Sequence, residues 1–418
     1  MESPKLAIRN ANVFDSVHGR VTGPVDIAVQ EGRITSLTPS GSTEFAGDVD
    51  IDGTGKTLMP GLIDAHWHAA FATIPTDVAL LGEVGYLFAK AVVGARETLL
   101  RGFTTVRDVG GPVFGIKQAI DEDVIPGPRI FPAGAFISQS GGHGDFRLPN
   151  ETPRGVAGHL SYTEIIGAAV IADGEAEVLR GAREVLRRGA SQLKLMAGGG
   201  CASNYDPLDV TQYTEAEMRA AVQVAENWGT YVTVHAYTPR AIRTAVAAGV
   251  RCIEHGQLID EETAALLAEK DIWWCLQPFL DDEDAMPLPP ANRSKFVQMV
   301  AGTDNAYGLA KKHQVKLAFG TDTLFDAKLA GRQGAQLAKL TRWFTPAEVL
   351  QQATIRNAEL LAMSGPRNPY PGQLGVVAEG AFADLILVDG DPVADISLIT
   401  RPEETFTAII KDGRLAKG

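Results

Sequence analysis

Gly61-Leu62-Ile63-Asp64-Ala65-His66-Trp67-His68 reads as a short apolar strand running into two histidines. Residues two apart on a strand point to one side, so His66 and His68 can offer both imidazoles to a single ion. By itself such a pair is read as easily as two unrelated histidines. The same ending, however, recurs downstream. His235 closes Tyr231-Val232-Thr233-Val234-His235, His255 closes Cys252-Ile253-Glu254-His255, and Asp322 follows Leu317-Ala318-Phe319-Gly320-Thr321. Four of the eight histidines and one acid thus sit at the carboxyl ends of strands, where barrel enzymes carry their chemistry. A shared metal site explains that placement better than chance does.

Around these endings, residues 59–364 alternate short apolar runs with stretches of helical period. Strands are expected at 62–67, 103–108, 129–135, 191–197, 231–236, 250–254, 271–277 and 315–320. Runs such as 176–188 and 215–228 carry apolar residues at helical spacing, with Gly189 and Gly229 just past their ends. Eight strands alternating with helices is the (β/α)8, or TIM-barrel, pattern of the α/β class. The flanks differ. Residues 1–58 hold short strands at 6–8, 12–14, 25–29 and 33–37, and residues 365–418 have the same texture around 383–388 and 407–410. Both ends are therefore expected to form one small β-sandwich domain beside the barrel. The acidic, Pro-rich stretch 281–290 reads as a solvated loop, or else as a lid over the site.

Composition narrows the function. With 45% hydrophobic and 21% charged residues, the 418-residue chain has apolar material for one large barrel and an appendage. A net charge of −13 without any Lys/Arg cluster argues against a nucleic-acid or anionic-membrane partner. No apolar run approaches the roughly 18 residues of a spanning helix. Three widely spaced cysteines, Cys201, Cys252 and Cys275, make no disulfide framework and fit a reducing compartment. Met1-Glu2-Ser3-Pro4-Lys5 lacks the start of a signal peptide, so a cytoplasmic protein is expected; a chain whose leader had been removed would read the same.

Lys194 is the less obvious candidate. In Ser191-Gln192-Leu193-Lys194-Leu195-Met196, alternation turns Leu193 and Leu195 toward the helices and Lys194 into the barrel. A buried lysine must be paired, neutral or chemically altered. A neutral amine can add CO2 to become a carbamate whose two oxygens bridge two cations. Pairing with a barrel carboxylate such as Asp108 is the other reading, and strand geometry alone does not choose.

Pro60-Gly61-Leu62-Ile63-Asp64-Ala65-His66-Trp67-His68, Lys194, His235, His255 and Thr321-Asp322-Thr323 resemble, in order, the motif set of the amidohydrolase superfamily. The tail Gly375-Val376-Val377-Ala378-Glu379-Gly380 through Ala383-Asp384-Leu385 resembles that family's return to its β-domain, so the likeness spans nearly the whole chain. It is closest to the imidazolonepropionase-like group, and there to carboxylated-lysine dipeptidases cleaving Xaa-Pro and hydrophobic dipeptides and to ochratoxin-hydrolysing amidohydrolases. Lys194 itself argues against imidazolonepropionase proper, which resembles the one-metal members lacking that lysine. The resemblance implies two divalent ions, usually zinc. His66, His68 and Asp322 would hold one and His235 and His255 the other, with carboxylated Lys194 bridging. It further implies that His143, in Ser140-Gly141-Gly142-His143-Gly144-Asp145, approaches the scissile carbonyl, and that Tyr237 contacts the substrate's carboxylate or carbonyl. A turn histidine and a packed barrel-mouth aromatic are the plainer readings of these two. Arg147 is a weaker candidate for carboxylate binding. Ala197-Gly198-Gly199-Gly200 lacks a P-loop Lys-Ser/Thr and reads as backbone room beside the metals. Relatives imply a homo-oligomer.

From these parts a mechanism is expected in which metal-activated water attacks an amide and Asp322 carries the proton to the leaving nitrogen. The expected substrate is an N-acyl amino acid or dipeptide with a free C-terminal carboxylate, ochratoxin A included, in a pocket to which Phe71, Phe136, Phe146, Trp273, Trp274 and Phe279 are candidate contributors. Cyclic-amide hydrolysis or deamination by the same residues is one rival reading. A non-catalytic metal-binding scaffold is the other, and the presence of both Lys194 and Asp322 speaks against it.

Overall fold

The computed structural model describes residues 4–42, 45–153, 156, 158–286 and 288–418. Met1, Glu2 and Ser3 of the chain start, and Pro287 of the acidic loop, lie outside the described residues. Three sheets carry the architecture. A parallel sheet of three strands runs Leu62–Trp67, Phe103–Asp108, Arg129–Pro132. A second, of seven, runs in the order Ala169–Ile171, Phe136–Ser138, Leu193–Met196, Val232–Ala236, Cys252–His255, Trp273–Leu276, Leu317–Phe319, also parallel. Apart from the partly exposed Val170 and Leu317, every residue in these strands is buried, as expected when helices cover a parallel sheet.

All eight expected strands are present, with one change. The run expected at 129–135 breaks into Arg129–Pro132 and Phe136–Ser138. Gly134 between them has φ +71°, and a Cβ there would stand 2.5 Å from the Phe114 ring, so only glycine fits this jog. The break lets one run pair backward with Phe103–Asp108 and forward with Leu193–Met196. Strand Ala169–Ile171 was not foreseen; it pairs only with Phe136–Ser138 and so extends the edge.

The two parallel sheets meet on both sides. Ser191 N donates to Pro132 O (2.7 Å), and the Gln192 amide donates to Phe131 O (3.1 Å). On the other side Asn357 clamps the seam, its Nδ2 donating to Ile63 O (2.7 Å) and Phe319 O (2.8 Å) while its Oδ1 accepts from Phe319 N (3.0 Å). Asp322 N donates to His66 O (2.8 Å) just beyond. The helices obey local rules. Thr214 and Glu217 form a capping box at the start of Glu215–Trp228, and Gly229 ends that helix in the left-handed conformation.

The third sheet joins the chain ends. Its eight strands follow the order Arg414–Lys417, Phe406–Lys411, Leu385–Val388, Thr57–Pro60, Leu6–Asp15, Arg20–Gln30, Arg33–Pro39, with Val49–Asp52 also paired to Leu6–Asp15. Its apolar face packs on itself through Leu6, Ile8, Ile27, Leu58, Leu385 and Ile410. Buried Arg129 ties it to the parallel strands, donating to Asp384 (2.7 Å) and Asp412 (2.7 Å). No helix among the described residues is long and apolar enough to cross a membrane.

Candidate active site

His66, His68, His143, Lys194, His235, Tyr237, His255 and Asp322 all line one cleft of ≈ 930 Å³, its open mouth included. All but Lys194, the second residue of Leu193–Met196, come from the carboxyl end of a parallel strand or the loop just after it. His255 and Asp322 both have positive φ, +77° and +51°, an uncommon conformation for such residues. At these two strand ends the chain turns sharply enough to aim consecutive side chains at the interior.

Hydrogen bonds fix the imidazoles. His66 Nδ1 donates to Glu254 (2.7 Å), and His68 Nδ1 donates to Gly110 O (2.8 Å). Both rings are left with Nε2 toward Asp322 Oδ1, at 3.1 and 3.2 Å. His255 Nδ1 meets Gln277 Oε1 (2.7 Å), freeing its Nε2, whereas His235 Nε2 donates to Gly199 O (3.0 Å), freeing its Nδ1. Burial, reinforced by neighbouring histidines and Lys194, pushes His235 well below the usual imidazole range. Burial likewise outweighs the pull of Asp322 and holds His255 well below it. Neutral imidazoles are what a metal ion requires. Asp322 resists the upward push of burial because His66, His68 and His255 hold its carboxyl well below the carboxylate range. His66, His255 and Asp322 bring ligand atoms within 4.8 Å of one another, so the donor set suits a divalent ion.

Lys194 is 2% exposed, and among the described residues its Nζ has neither a hydrogen bond nor an ion pair. Burial lowers its ammonium below the ordinary lysine range. Asp108, the partner considered from sequence, is occupied otherwise: it accepts from Ala69 N (2.7 Å) and Gly110 N (3.1 Å).

His143 lies against His235, ring centroids 4.1 Å apart and nearly parallel. Its Nδ1 meets Ser203 Oγ at 2.7 Å, with Asp206 Oδ2 behind at 3.8 Å, and its backbone N donates to Gln212. Tyr237 stands edge-on to His235 at 4.9 Å. Gly200 gives the room read from its motif, since a Cβ there would fall 2.0 Å from the His143 ring. Arg147 is spent on Asp145, through Nε at 2.8 Å. Burial pushes the Cys201 and Cys252 thiols up to about 12, which leaves no thiolate nucleophile.

The apolar wall differs in part from expectation. Phe71, Phe136, Phe146 and Phe279 line the cleft, together with Phe296 and Phe325. Trp273 and Trp274 do not. Trp274 packs into the core with its indole N–H donating to His255 O (2.5 Å), and Trp273 sits away from the cleft beneath Lys316. The acidic loop does more than bridge: Met286 and Leu288 reach the cleft, and Lys339 holds Asp282.

Residues not foreseen support those that were. Glu254 is fully buried beside His66, and Asp64 accepts from His66 N (3.0 Å), Thr321 N (3.1 Å) and Gln333 (2.8 Å). Their signal was position alone: Glu254 immediately precedes His255, and Asp64 stands two residues before His66.

Imidazoles, Lys194 and Asp322 converge inside one apolar cleft, a set that can hold a divalent ion. The Amidohydrolase family matches residues 57–416. Ochratoxinase of Aspergillus niger is 32% identical over 382 residues, 86% of this chain and 76% of that one. A prolidase solved with N-methylphosphonate-L-proline superposes with a TM-score of 0.90 at 33% identity over 99% of both chains. A Xaa-Pro dipeptidase with methionine in its active site gives 0.86 at 27% identity, covering 99% of this chain and 100% of that one. The chain belongs to the amidohydrolase family and is a hydrolase acting on C–N bonds.

Proposed function

We propose that the protein is a two-metal hydrolase cleaving the amide of N-acyl amino acids or dipeptides with a free C-terminal carboxylate, Xaa-Pro and hydrophobic dipeptides and ochratoxin A among them. The observation that carries this is Lys194: buried, without hydrogen bond or ion pair among the described residues, in the cleft shared by four imidazoles and Asp322. Its neutral amine adds CO2 and sheds a proton, giving a carbamate. His66, His68 and Asp322 would hold one ion, His235 and His255 the other, and carboxylated Lys194 both. A bound pair of divalent ions, zinc in this reading, supplies a water of lowered pKa and Lewis acidity for the carbonyl.

The remaining work falls to the chain. Asp322 takes the proton of the attacking water and delivers it to the leaving nitrogen. His143, its Nδ1 engaged by Ser203, keeps Nε2 for the developing oxyanion. Tyr237 offers its hydroxyl to the substrate carboxylate or carbonyl. Phe71, Phe136, Phe146, Phe279, Phe296 and Phe325 favour aromatic or prolyl groups around the scissile bond.

The seam bonds of Asn357 and Gln192 support one closed (β/α)8 barrel over residues 59–364, with 1–58 and 365–418 forming a β-sandwich domain, and we expect a homo-oligomer. The test is a panel of N-acyl amino acids, Xaa-Pro dipeptides and cyclic amides, with elemental analysis of protein purified without chelators and with bicarbonate. About two zinc ions per chain, fewer in Lys194→Ala along with lost amide hydrolysis, is the expected result. One ion per chain, unchanged in that variant, with turnover of a cyclic amide only, would overturn it.

A further inference from the structure

Behind His66 the interior holds a buried ion pair that no catalytic step uses. Arg107, on Phe103–Asp108, and Glu254, on Cys252–His255, are both fully buried, and Arg107 Nη2 donates to Glu254 Oε1 at 2.6 Å. Glu254 Oε1 also accepts from the Thr233 hydroxyl and from Cys252 Sγ (3.4 Å). Its Oε2 faces His66 Nδ1 at 2.7 Å. Arg107 Nε donates to Ala65 O (2.6 Å), the carbonyl just before His66, and Nη1 donates to the Tyr231 hydroxyl (3.2 Å). One guanidinium thus grips both the backbone beside His66 and the carboxylate that grips its ring.

A buried ion pair is weak evidence for stability, because desolvating two charges costs about what their attraction returns. Orientation is the better account. A neutral imidazole has two tautomers, and only the one protonated at Nδ1 leaves an Nε2 lone pair toward Asp322. With Arg107, Thr233 and Cys252 donating to it, Glu254 can act toward His66 only as an acceptor. We infer that Arg107 and Glu254 are a positioning dyad that fixes the tautomer and aim of His66 and so sets the metal affinity of the His66–His68–Asp322 half of the site.

This rests on the metal-site reading above. In Glu254→Gln the new amide has one oxygen for two donors: if it faces His66, its NH2 meets Arg107, and if it faces Arg107, its NH2 meets His66. The full-length variant should bind zinc about 10- to 100-fold more weakly in competition with a chromophoric chelator. The 15N-histidine spectrum of the unaltered protein, with His66 assigned by His66→Gln, should show the proton on Nδ1 both without and with zinc. In Glu254→Gln that signature should become a tautomer mixture, which loss of packing alone would not produce. Unchanged zinc affinity in Glu254→Gln, or a His66 Nδ1 that carries no proton in the unaltered protein, overturns the inference. Should the variant fail to fold, the spectrum of the unaltered protein decides. A protein that takes up no metal at all refutes the two-metal reading, while the tautomer still tests the dyad.

Discussion

Adding one methyl group at Gly200 should disarm His143 without touching a proposed metal ligand. The Cβ of Gly200→Ala would stand 2.0 Å from His143 Cε1, 2.1 Å from Nδ1 and 2.6 Å from Nε2. Ordinary contact begins at about 3.4 Å, so the ring must move by roughly 1.4 Å. One face of the ring is already stacked on His235, centroids 4.1 Å apart, and a shift of that size breaks its Nδ1 contact with Ser203 Oγ at 2.7 Å. Gly200 is not among the glycines of positive φ, so the alanine backbone itself is unstrained and the ring alone takes the displacement. A misplacement of about 1 Å costs on the order of 100-fold in rate, or about 2.7 kcal/mol of transition-state stabilisation. The assay is kcat/KM on an N-acyl phenylalanine with the zinc-loaded enzyme, alongside metal content and melting temperature. The expected outcome is a roughly hundredfold loss with metal content held, matched by His143→Ala and not deepened in the double variant. Activity within threefold of the parent, or losses that add in the double variant, would refute the role given to His143 and its seat.

Two further outcomes follow from the same contacts. Folded His235 and His255 lie well below the ordinary imidazole value of 6.5. Below that pH the unfolded chain takes up protons that these two folded imidazoles refuse, while His66 and Asp108, both raised in the fold, act in the opposite sense, so the melting temperature of the metal-free parent should fall more between pH 6.5 and 5 than that of His235→Gln. Arg129→Ala, which strands the buried carboxylate of Asp384, should cost about 3–5 kcal/mol in urea unfolding, whereas loss of an exposed pair such as Arg187 with Glu184 should cost under about 1 kcal/mol.

The strands and their endings were legible because period and punctuation are local. Apolar runs ending in His66, His235, His255 or Asp322 state both their length and their business end, and Lys194 declared itself by alternation. What stayed hidden depends on partners distant in the chain. Nothing in Cys252-Ile253-Glu254-His255 says that Glu254 meets Arg107, nor that the positive φ of His255 lets two neighbours both serve the interior. The tryptophans misled for a related reason. They lie on the short strand that leads toward Phe279 at the cleft, but Trp274 packs into the core, and Trp273 starts the strand at the end away from Phe279. The 129–135 run looked continuous because a single glycine does not announce whether it bends a strand or merely sits in one.

The sheet built from both chain ends has a consequence for synthesis. Thr57–Pro60 lies between Leu6–Asp15 and Leu385–Val388, so one of its edges stays open until the latter has emerged. At about 5–20 residues per second that wait lasts on the order of 15 to 65 s. For that interval the nascent amino terminus is a half-finished sheet with an unpaired apolar edge, the kind of surface that invites strand exchange between neighbouring ribosomes. A holdase chaperone present during synthesis should therefore raise the soluble yield more than any change to the barrel.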